Sequence, residues 1–407
     1  MKKSKTMQVS ALATILLLPV FLLFFSLNTA FAENIISQES RLLLQKLVET
    51  NSGTKNISGQ DNMRSVLIPE FKDLGFAETL HPAKKGRKVL SFKFPDSKPY
   101  ILFMGHTDTV FPENSEFKTY QEKGDRIIGP GVIDMKSGLV LMLDILKAVP
   151  PDIRKNVLII LNDDEEVGSF DSKEVYTPLV NDIRYALVFE PGLKDGTFIS
   201  SESGIKWLDL EVKGRASHAG LEPDLGVNAC LELANKITAI SALTDYSKKL
   251  TVNAGVISGG IKPNVVCENA MAKIDIRYVE KDDLNNVIDK IREITNTVTV
   301  FSKRNNEPTT ASLKSVLEMP SLKPASTREM IKITGEVAAK LDMDFKHRHV
   351  GYGSDGNYLS ALPQVINILV GLGPYGEGMH TDSEYLSQNA YVKRLKLTIA
   401  LLKRLVQ

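Results

Sequence analysis

Four short apolar runs constrain the fold of this chain more than any other feature of its sequence. Each run suits one buried strand, and each is followed directly by a polar or glycine-rich turn. The runs occupy residues 100–104, 157–161, 185–189 and 365–370. Helical patterns lie between them, as at residues 137–148. Strands that alternate with helices predict an α/β domain, in which a mixed, mostly parallel sheet has helices on both faces.

A segment with a different order of predicted strands and helices separates the third apolar run from the fourth. Its elements are predicted in the order strand, helix, strand, strand, helix, strand, at residues 205–212, 226–242, 250–257, 270–278, 281–295 and 298–301. That order predicts an inserted, ferredoxin-like β-α-β-β-α-β domain, followed by a polar return linker. We expect the inserted domain at residues 205–312, with the main domain formed by residues 33–204 and 313–407.

The N-terminus has the pattern of a secretory signal peptide. Three lysines among the first five residues precede an apolar run at residues 11–27, and Ala30 and Ala32 form an A-x-A cleavage pattern. A retained anchor is the alternative, because the apolar run is long for a signal peptide. No later stretch is long and apolar enough to span a bilayer. We therefore expect an exported protein, periplasmic or secreted, with residues 1–32 removed and no stable membrane span.

Composition gives no support for a nucleic-acid site, and the spacing of the cysteines gives none for a cysteine metal site. The chain has 407 residues, of which 50 are basic and 49 acidic, so its net charge of +1 gives no electrostatic reason to expect nucleic acid as a partner. Its two cysteines, Cys230 and Cys267, lack the spacing of a metal site. We interpret them as buried small residues, with a disulfide as the alternative in an exported protein.

Histidines and acidic residues follow the ends of the predicted strands. They occur in blocks at residues 105–109, 129–138, 162–168, 190–192 and 371–382. One such block is typical of a solvated turn, but ligands of α/β sheets bind where the carboxyl ends of the strands meet. Carboxylates gathered there without counter-ions would repel one another strongly, and a divalent metal pair removes that repulsion. Histidine nitrogen and carboxylate oxygen are ligands that suit zinc.

Taken in order, these blocks resemble the zinc-dependent exopeptidase and deacylase family that includes aminoacylase and succinyl-diaminopimelate desuccinylase. The glutamate carboxypeptidase (carboxypeptidase G) type is the most similar. The resemblance implies a catalytic main domain with two Zn²⁺ ions per subunit, and an inserted lid that forms a homodimer. It implies a metallocarboxypeptidase that uses zinc-activated hydroxide to cut the amide bond to a C-terminal amino acid. An N-acyl amino acid deacylase of the same family is the alternative, because both run the same mechanism.

The resemblance also implies which residues hold the metals. Asp134 would bridge the two zinc ions. His106 and Glu190 would complete one site, and Glu166 and His380 would complete the other.

Three further residues take catalytic roles by the same resemblance. Glu165 lies beside a ligand but is left free, so it would act as the general base. Asp108 would orient His106, since a carboxylate beside a metal-ligating histidine fixes its tautomer. His218 of the inserted domain would stabilise the oxyanion in the active site of the partner subunit.

The substrate-binding positions of the family are matched by Asn264, Arg277 and Gly353. For Arg277, a buried ion pair is the alternative. The glutamate carboxypeptidase pattern also has an arginine directly before a proline, just after the inserted domain. Here that residue is Glu307, and the nearest arginine is the displaced Arg304. We therefore expect neutral or basic C-terminal residues to be cleaved at least as well as glutamate.

Overall fold

The computed structural model describes residues 36–365 and 367–407, so the predicted signal peptide lies outside the described residues. The helices are α1 Gln38–Glu49, α2 Ile57–Asp73, α3 Ser137–Lys147, α4 Pro151–Arg154, α5 Lys173–Tyr176, α6 Ala229–Ser241, α7 Lys281–Asn296, α8 Pro324–Lys340, α9 Asp355–Ser360 and α10 Gln388–Val406. The strands are β1 Ala77–Pro82, β2 Lys88–Lys93, β3 Ile101–His106, β4 Gln121–Lys123, β5 Arg126–Ile128, β6 Val157–Asn162, β7 Tyr185–Val188, β8 Phe198–Glu202, β9 Gly204–Lys213, β10 Thr251–Gly259, β11 Asn269–Tyr278, β12 Thr310–Met319, β13 His347–Val350, β14 Ile368–Val370, β15 Gly376–Glu377 and β16 Tyr385–Ser387. Among these helices, none has the length and apolar character that a membrane crossing requires.

An eight-stranded sheet dominates the larger part of the fold. Its strand order is β1-β2-β6-β3-β7-β14-β8-β13. The central strands β6, β3, β7 and β14 are parallel to their neighbours in this group, and the antiparallel pairs lie on either side of them. The four apolar runs of the sequence form these central strands, so the prediction of a mixed, mostly parallel α/β sheet is confirmed.

Alternate side chains of the central strands enter two separate cores. Phe103 of β3 packs with residues of α1, α2, α3, α8 and α10. The next residue, Met104, packs on the opposite face with Tyr176 of α5 and Leu359 of α9. Helices therefore cover both faces, which is why these strands are apolar at every position rather than at every second one.

The inserted segment folds as a smaller antiparallel sheet of four strands in the order β10-β11-β9-β12. Helices α6 and α7 pack on one of its faces. Along β9, buried residues alternate with more exposed ones, because only one face of this sheet is covered. The order of elements is β-α-β-β-α-β, so the ferredoxin-like insertion is confirmed.

The last strand of the insertion lies further along the chain than predicted. The strand predicted at residues 298–301 is wrong: within the described structure, Phe301 makes only an isolated bridge with Pro308. The backbone N–H of Thr299 donates to the carboxylate of Glu232 on α6, so this segment is bound to a helix rather than to a strand. The fourth strand is β12, and the predicted domain boundary at residue 312 falls inside it.

Cys230 and Cys267 form a disulfide, so their interpretation as unpaired residues is wrong. The bridge joins the first turn of α6 to the loop before β11, with the two Cα atoms 5.6 Å apart. The backbone N–H of Ala229 also donates to the carbonyl of Cys267 at 2.8 Å. The packing of α6 on the sheet brings these distant positions together, and the sequence alone does not show it.

Candidate metal centre and active site

The candidate metal ligands meet at the carboxyl edge of the central sheet. His106 is the last residue of β3, Glu166 follows β6 and Glu190 follows β7. Because these strands are parallel, the three residues lie at the same edge. Asp134 comes from the turn before α3, and His380 comes from the loop between β15 and β16.

Asp134 lies between the two histidines. Its Oδ1 is 3.2 Å from Nε2 of His106, and its Oδ2 is 3.1 Å from Nε2 of His380. The Nε2 atom of His106 is also 3.5 Å from Oε1 of Glu190, and that of His380 is 3.2 Å from Oε2 of Glu166. Each histidine therefore faces one carboxylate of its own and one shared carboxylate. The structure brings the five predicted ligands together in this arrangement.

The carboxylates of this cluster need a cation. Within the described residues, the ion pairs of Asp134, Glu166 and Glu190 involve only the two histidines. The Oε1 atoms of Glu166 and Glu190 are buried without a hydrogen-bond partner. Buried polar atoms of this kind are costly unless a ligand satisfies them. Imidazole nitrogens and carboxylate oxygens with unused lone pairs fit a pair of divalent metal ions.

The pKa values show the same excess of negative charge. Burial disfavours the charged form of His106 and by itself lowers the pKa of this histidine. The carboxylates of Glu190, Asp108 and Asp134 outweigh burial and raise the pKa well above its usual value. Hydrogen bonds to Asp134 and Glu166 raise the pKa of His380 to about 10. Burial, together with the charge of Asp134, raises the pKa of Glu166 to about 7. A bound cation would replace these protons, because metal ligands must be deprotonated.

Glu165 belongs to one of the two groups of side chains that could hold a metal ion. Carboxylate and imidazole atoms of His106, Glu165 and Glu190 lie within 4.8 Å of one another. Burial, followed by the charge of Glu190, raises the pKa of Glu165 well above its usual value. A carboxyl group with a raised pKa, close to a candidate metal site, is suited to proton transfer.

Asp108 connects His106 to the turn that carries Glu165. Its backbone carbonyl accepts a hydrogen bond from Nδ1 of His106 at 3.0 Å, and its Oδ1 atom is 3.3 Å from the same nitrogen. The two carboxylate oxygens accept the backbone N–H groups of Glu165 and Glu166, at 3.1 and 3.2 Å. The hydroxyl of Thr54 donates to this carboxylate at 2.7 Å. Asp108 therefore orients the histidine mainly through its carbonyl, while its carboxylate fixes the turn.

Glu384 fixes the turn that carries Asp134, a role that the sequence did not suggest. Its carboxylate accepts the backbone N–H groups of Gly131, Ile133 and Asp134 at 3.0, 2.8 and 3.2 Å. The side chain is completely buried, and burial raises its pKa to about 8. The sequence shows only that Glu384 lies four residues after His380. That position does not reveal that the partners of Glu384 are backbone N–H groups.

A family model described as peptidase family M20/M25/M40 matches residues 102–406. The chain belongs to the M20 peptidase family. This confirms the resemblance to the exopeptidases and deacylases, and it makes the protein an M20 family hydrolase.

Relatives of this M20 hydrolase differ in the substrates that their names give. Carboxypeptidase G2 of Pseudomonas sp. (strain RS-16) is 27% identical over 377 residues, which cover 88% of this chain and 87% of the relative. Acetylornithine deacetylase of Aliivibrio fischeri is 29% identical over 278 residues, which cover 61% of this chain and 72% of the relative. Among solved structures, aminopeptidase PepT from Bacillus cereus has the same fold, with a TM-score of 0.74 and 21% identity over 92% of this chain and 100% of that one.

A cavity of the M20 hydrolase borders one of the metal-ligand candidates. Its volume is about 380 Å³, and Glu166 forms part of its wall. Val110, Pro112 and Val167 give it an apolar lining, and Glu113 lies among its exposed residues. The side chain of His380 is 46% exposed, so the centre itself is also open to solvent.

The inserted domain carries His218 and Asn264 on adjacent segments. The N–H of Ala219 donates to the carbonyl of Asn264 at 3.0 Å. The N–H groups of Gly220 and Leu221 both donate to Nδ1 of His218 at 3.1 Å, which leaves the proton of the neutral ring on Nε2. His218 is exposed, and no hydrogen bond or ion pair in the described structure joins it to the metal-ligand candidates.

Arg277 and Gly353 lie in two different environments. The Nε and Nη2 atoms of Arg277 donate to the carboxylate of Asp275 at 2.8 and 2.9 Å, so the structure contains the ion pair that was the alternative for this residue. The pair is only half-buried. Gly353 precedes α9, and a Cβ atom there would lie 2.8 Å from Sδ of Met319, so no larger residue fits without rearrangement.

Arg304 has its guanidinium occupied by carboxylates of the same domain. Its Nε and Nη2 atoms each donate to one oxygen of Asp224 at 3.0 Å, and its Nη1 atom donates to Glu222 at 3.0 Å. Glu307, on the same loop, forms an ion pair with Arg215. These contacts join the 302–308 loop to the segment that carries His218. The donors of the Arg304 guanidinium are thus already paired with carboxylates of the protein.

Proposed function

We propose that this protein is an exported, two-zinc metallocarboxypeptidase that hydrolyses the amide bond to a C-terminal amino acid. The observation that carries the proposal is the position of Asp134, whose two carboxylate oxygens face His106 and His380 at 3.2 and 3.1 Å. The likeness to carboxypeptidase G2 supports the choice of substrate class. N-acyl amino acid deacylation is the second candidate, and the likeness to acetylornithine deacetylase favours it.

The facing side chains support the ligand assignment that the family resemblance implies. His106, Asp134 and Glu190 would hold one zinc ion, and Asp134 would share the other with Glu166 and His380. When bound, the metal pair polarises the scissile carbonyl and lowers the pKa of water to about 7. The carbonyl of Asp108 accepts a hydrogen bond from Nδ1–H of His106, which keeps the proton on Nδ1 and leaves the lone pair of Nε2 free to ligate.

Glu165 moves the proton in this scheme. Its carboxylate takes a proton from the attacking water and returns it to the leaving nitrogen, so that the amine departs in neutral form. Two features support this role: Glu165 lies beside His106 and Glu190, and within the described residues it forms no ion pair with either histidine, whereas Glu190 and Glu166 do.

His218 would stabilise the oxyanion across the interface of a homodimer. The hydrogen bonds to its Nδ1 atom leave Nε2–H as the donor, which is the form that an oxyanion needs. We assign Asn264 and Gly353 to the lining of the substrate cleft. We assign Arg277 a supporting role within β11, because its guanidinium is paired with Asp275 of the same strand.

Two features support the proposed export: the signal-peptide pattern and the disulfide. A disulfide between Cys230 and Cys267 persists in an oxidising compartment, which supports a periplasmic or secreted location. The mature chain would begin near Glu33.

The variant Glu165→Gln tests the proposed reaction. We expect the purified variant to keep two zinc ions per subunit, measured by elemental analysis, and to lose at least about 10²–10⁴-fold in kcat. Glu113→Gln is the matched control, because Glu113 is an exposed carboxylate in the cavity beside Glu166. A zinc-loaded Glu165→Gln protein with the kcat of the control would disprove the general-base role.

The choice between the two substrate classes needs a separate assay. Amino acid release from dipeptides and from N-acetyl amino acids should be compared with the wild-type enzyme. Faster release from dipeptides supports the carboxypeptidase, and faster release from N-acetyl amino acids supports the deacylase.

A further inference from the structure

A buried carboxylate without a cation lies behind the turn that carries the proposed general base. Asp355, the first residue of α9, is 1% exposed and forms no ion pair within the described residues. Its oxygens accept hydrogen bonds from the hydroxyls of Ser169 and Tyr176, at 2.6 and 2.9 Å, and from the amide of Asn162, at 2.7 Å. Burying a charged carboxylate is costly unless several donors satisfy it, and here three do so.

Two of these donors lie at the two ends of the catalytic turn. Asn162 is the last residue of β6, and Ser169 follows the single helical turn Glu165–Val167. The carboxylate of Asp355 thus connects the point where the chain leaves the sheet with the point where the turn ends. The residues between these two points include the proposed general base and one proposed metal ligand.

The end of this turn has a backbone conformation that requires support. Gly168 and Ser169 have φ angles of +96° and +51°, and the second is unfavourable for a residue with a side chain. The hydroxyl of Tyr358, also on α9, donates to the carbonyl of Gly168 at 2.7 Å. Such conformations persist where the surrounding contacts over-determine them. Here the short helix α9 supplies two of the side-chain contacts, through Asp355 and Tyr358.

We propose that Asp355 is a positioning residue for the reaction: through Asn162 and Ser169 it sets where Glu165 and Glu166 lie relative to the metal centre. The inference rests on the proposed role of Glu165. A misplacement of about 1 Å costs on the order of 10²-fold in rate, so a loosened turn lowers kcat. Substrate affinity should change little, because the hydrogen-bond partners of the Asp355 carboxylate are Asn162, Ser169 and Tyr176, and we assign none of these to substrate binding.

The same region of the fold offers a matched control residue. Glu202 is also completely buried, and it too forms no ion pair within the described part of the chain. It accepts a hydrogen bond from the hydroxyl of Ser354, the N-cap of α9, at 2.8 Å. No hydrogen bond in the described structure joins it to residues 162–169. Glu202→Gln therefore perturbs the start of α9 without removing a contact to the turn.

The experiment compares zinc-loaded Asp355→Asn and Glu202→Gln proteins. For Asp355→Asn we expect a fall in kcat on the order of 10²-fold, a KM within about threefold of wild type, and faster hydrogen–deuterium exchange in residues 162–169. Glu202→Gln should keep kcat within about threefold and keep native exchange in that segment. Equal losses of kcat in the two variants, or unchanged exchange in Asp355→Asn, would overturn the proposal.

Single-donor variants test the same inference if Asp355→Asn fails to fold. Ser169→Ala removes a donor at the end of the turn, whereas Tyr176→Phe removes a donor on α5. We expect the first to lower kcat and speed exchange more than the second; equal effects would contradict the proposal. Exchange does not depend on turnover, so it still reports on Asp355 if Glu165→Gln proves fully active and the proposed function fails.

Discussion

Removing the Cys230–Cys267 disulfide should destabilise the inserted domain by several kcal/mol. The bridge closes a loop with a sequence separation of 37 residues. The loop-closure entropy of that length corresponds to about 4 kcal/mol at 25 °C in the unfolded-state model. The double variant Cys230→Ala/Cys267→Ala is suitable, because Cys267 lies in the apolar core of the domain and alanine adds no polar atom there.

The same change should weaken substrate binding without affecting the metals. The loop next to Cys267 carries Asn264, whose carbonyl is bonded to the segment that contains His218. If binding must re-order even one backbone residue, the cost is about 1–2 kcal/mol, which corresponds to a rise in KM of roughly 5–30-fold. Zinc content should stay at two ions per subunit, because the inserted domain provides none of the proposed ligands.

Tryptophan fluorescence reports on the stability of the inserted domain itself. The single tryptophan of the chain, Trp207, lies on β9 of the inserted domain. Urea unfolding followed by its emission should show the lower stability of the alanine variant, and reductant should destabilise the wild type but not the variant. A difference in stability below about 1 kcal/mol, far from the loop-entropy value, would refute the reasoning, as would loss of zinc from the variant.

Further tests address the metals, the dimer, the substrate and the N-terminus. Chelation should abolish hydrolysis and Zn²⁺ should restore it; full activity in metal-free protein would contradict the proposed chemistry. Mixing His218→Ala with Glu165→Gln protein should restore part of the activity once subunits exchange, whereas no recovery would place His218 in its own active site. Substrates that end in leucine or lysine should be cleaved at least as well as those that end in glutamate, because Arg304 is already paired; a hundredfold preference for glutamate, lost in Arg304→Ala, would show the opposite. Mass spectrometry of the protein from the cell envelope or the medium should find a terminus near Glu33; an intact Met1 terminus in the cytoplasm would contradict export.

Burial explains which parts of the fold could be predicted from the sequence. Strands β3 and β6 are covered on both faces, so their apolar runs stand out from the surrounding sequence. Strand β12 is an edge strand with mostly exposed residues, and its sequence resembles that of a polar linker. The run at residues 298–301 looked more like a strand, but its backbone is bonded to the carboxylate of Glu232.

A similar distinction applies to the site. Residues that face one another across the metal centre could be proposed from motifs, because their residue types carry the chemistry. The groups that hold the turns could not, since the partners of Glu384 are backbone N–H groups and those of Asp355 are neutral donors from three segments. Such partners become visible only when the chain is folded.

The paths into and out of the inserted domain have a consequence for how such enzymes diversify. The chain enters along β9 and leaves along β12, and these strands are paired, with Ile205 opposite Met319. Glu202 and Leu322 form a further bridge just outside them. The points where the chain enters and leaves the inserted domain therefore lie side by side, so a short hairpin turn could connect them directly. Recombination could therefore exchange the whole inserted domain at this one pair of strands, while the sheet that carries the candidate metal ligands stays unchanged.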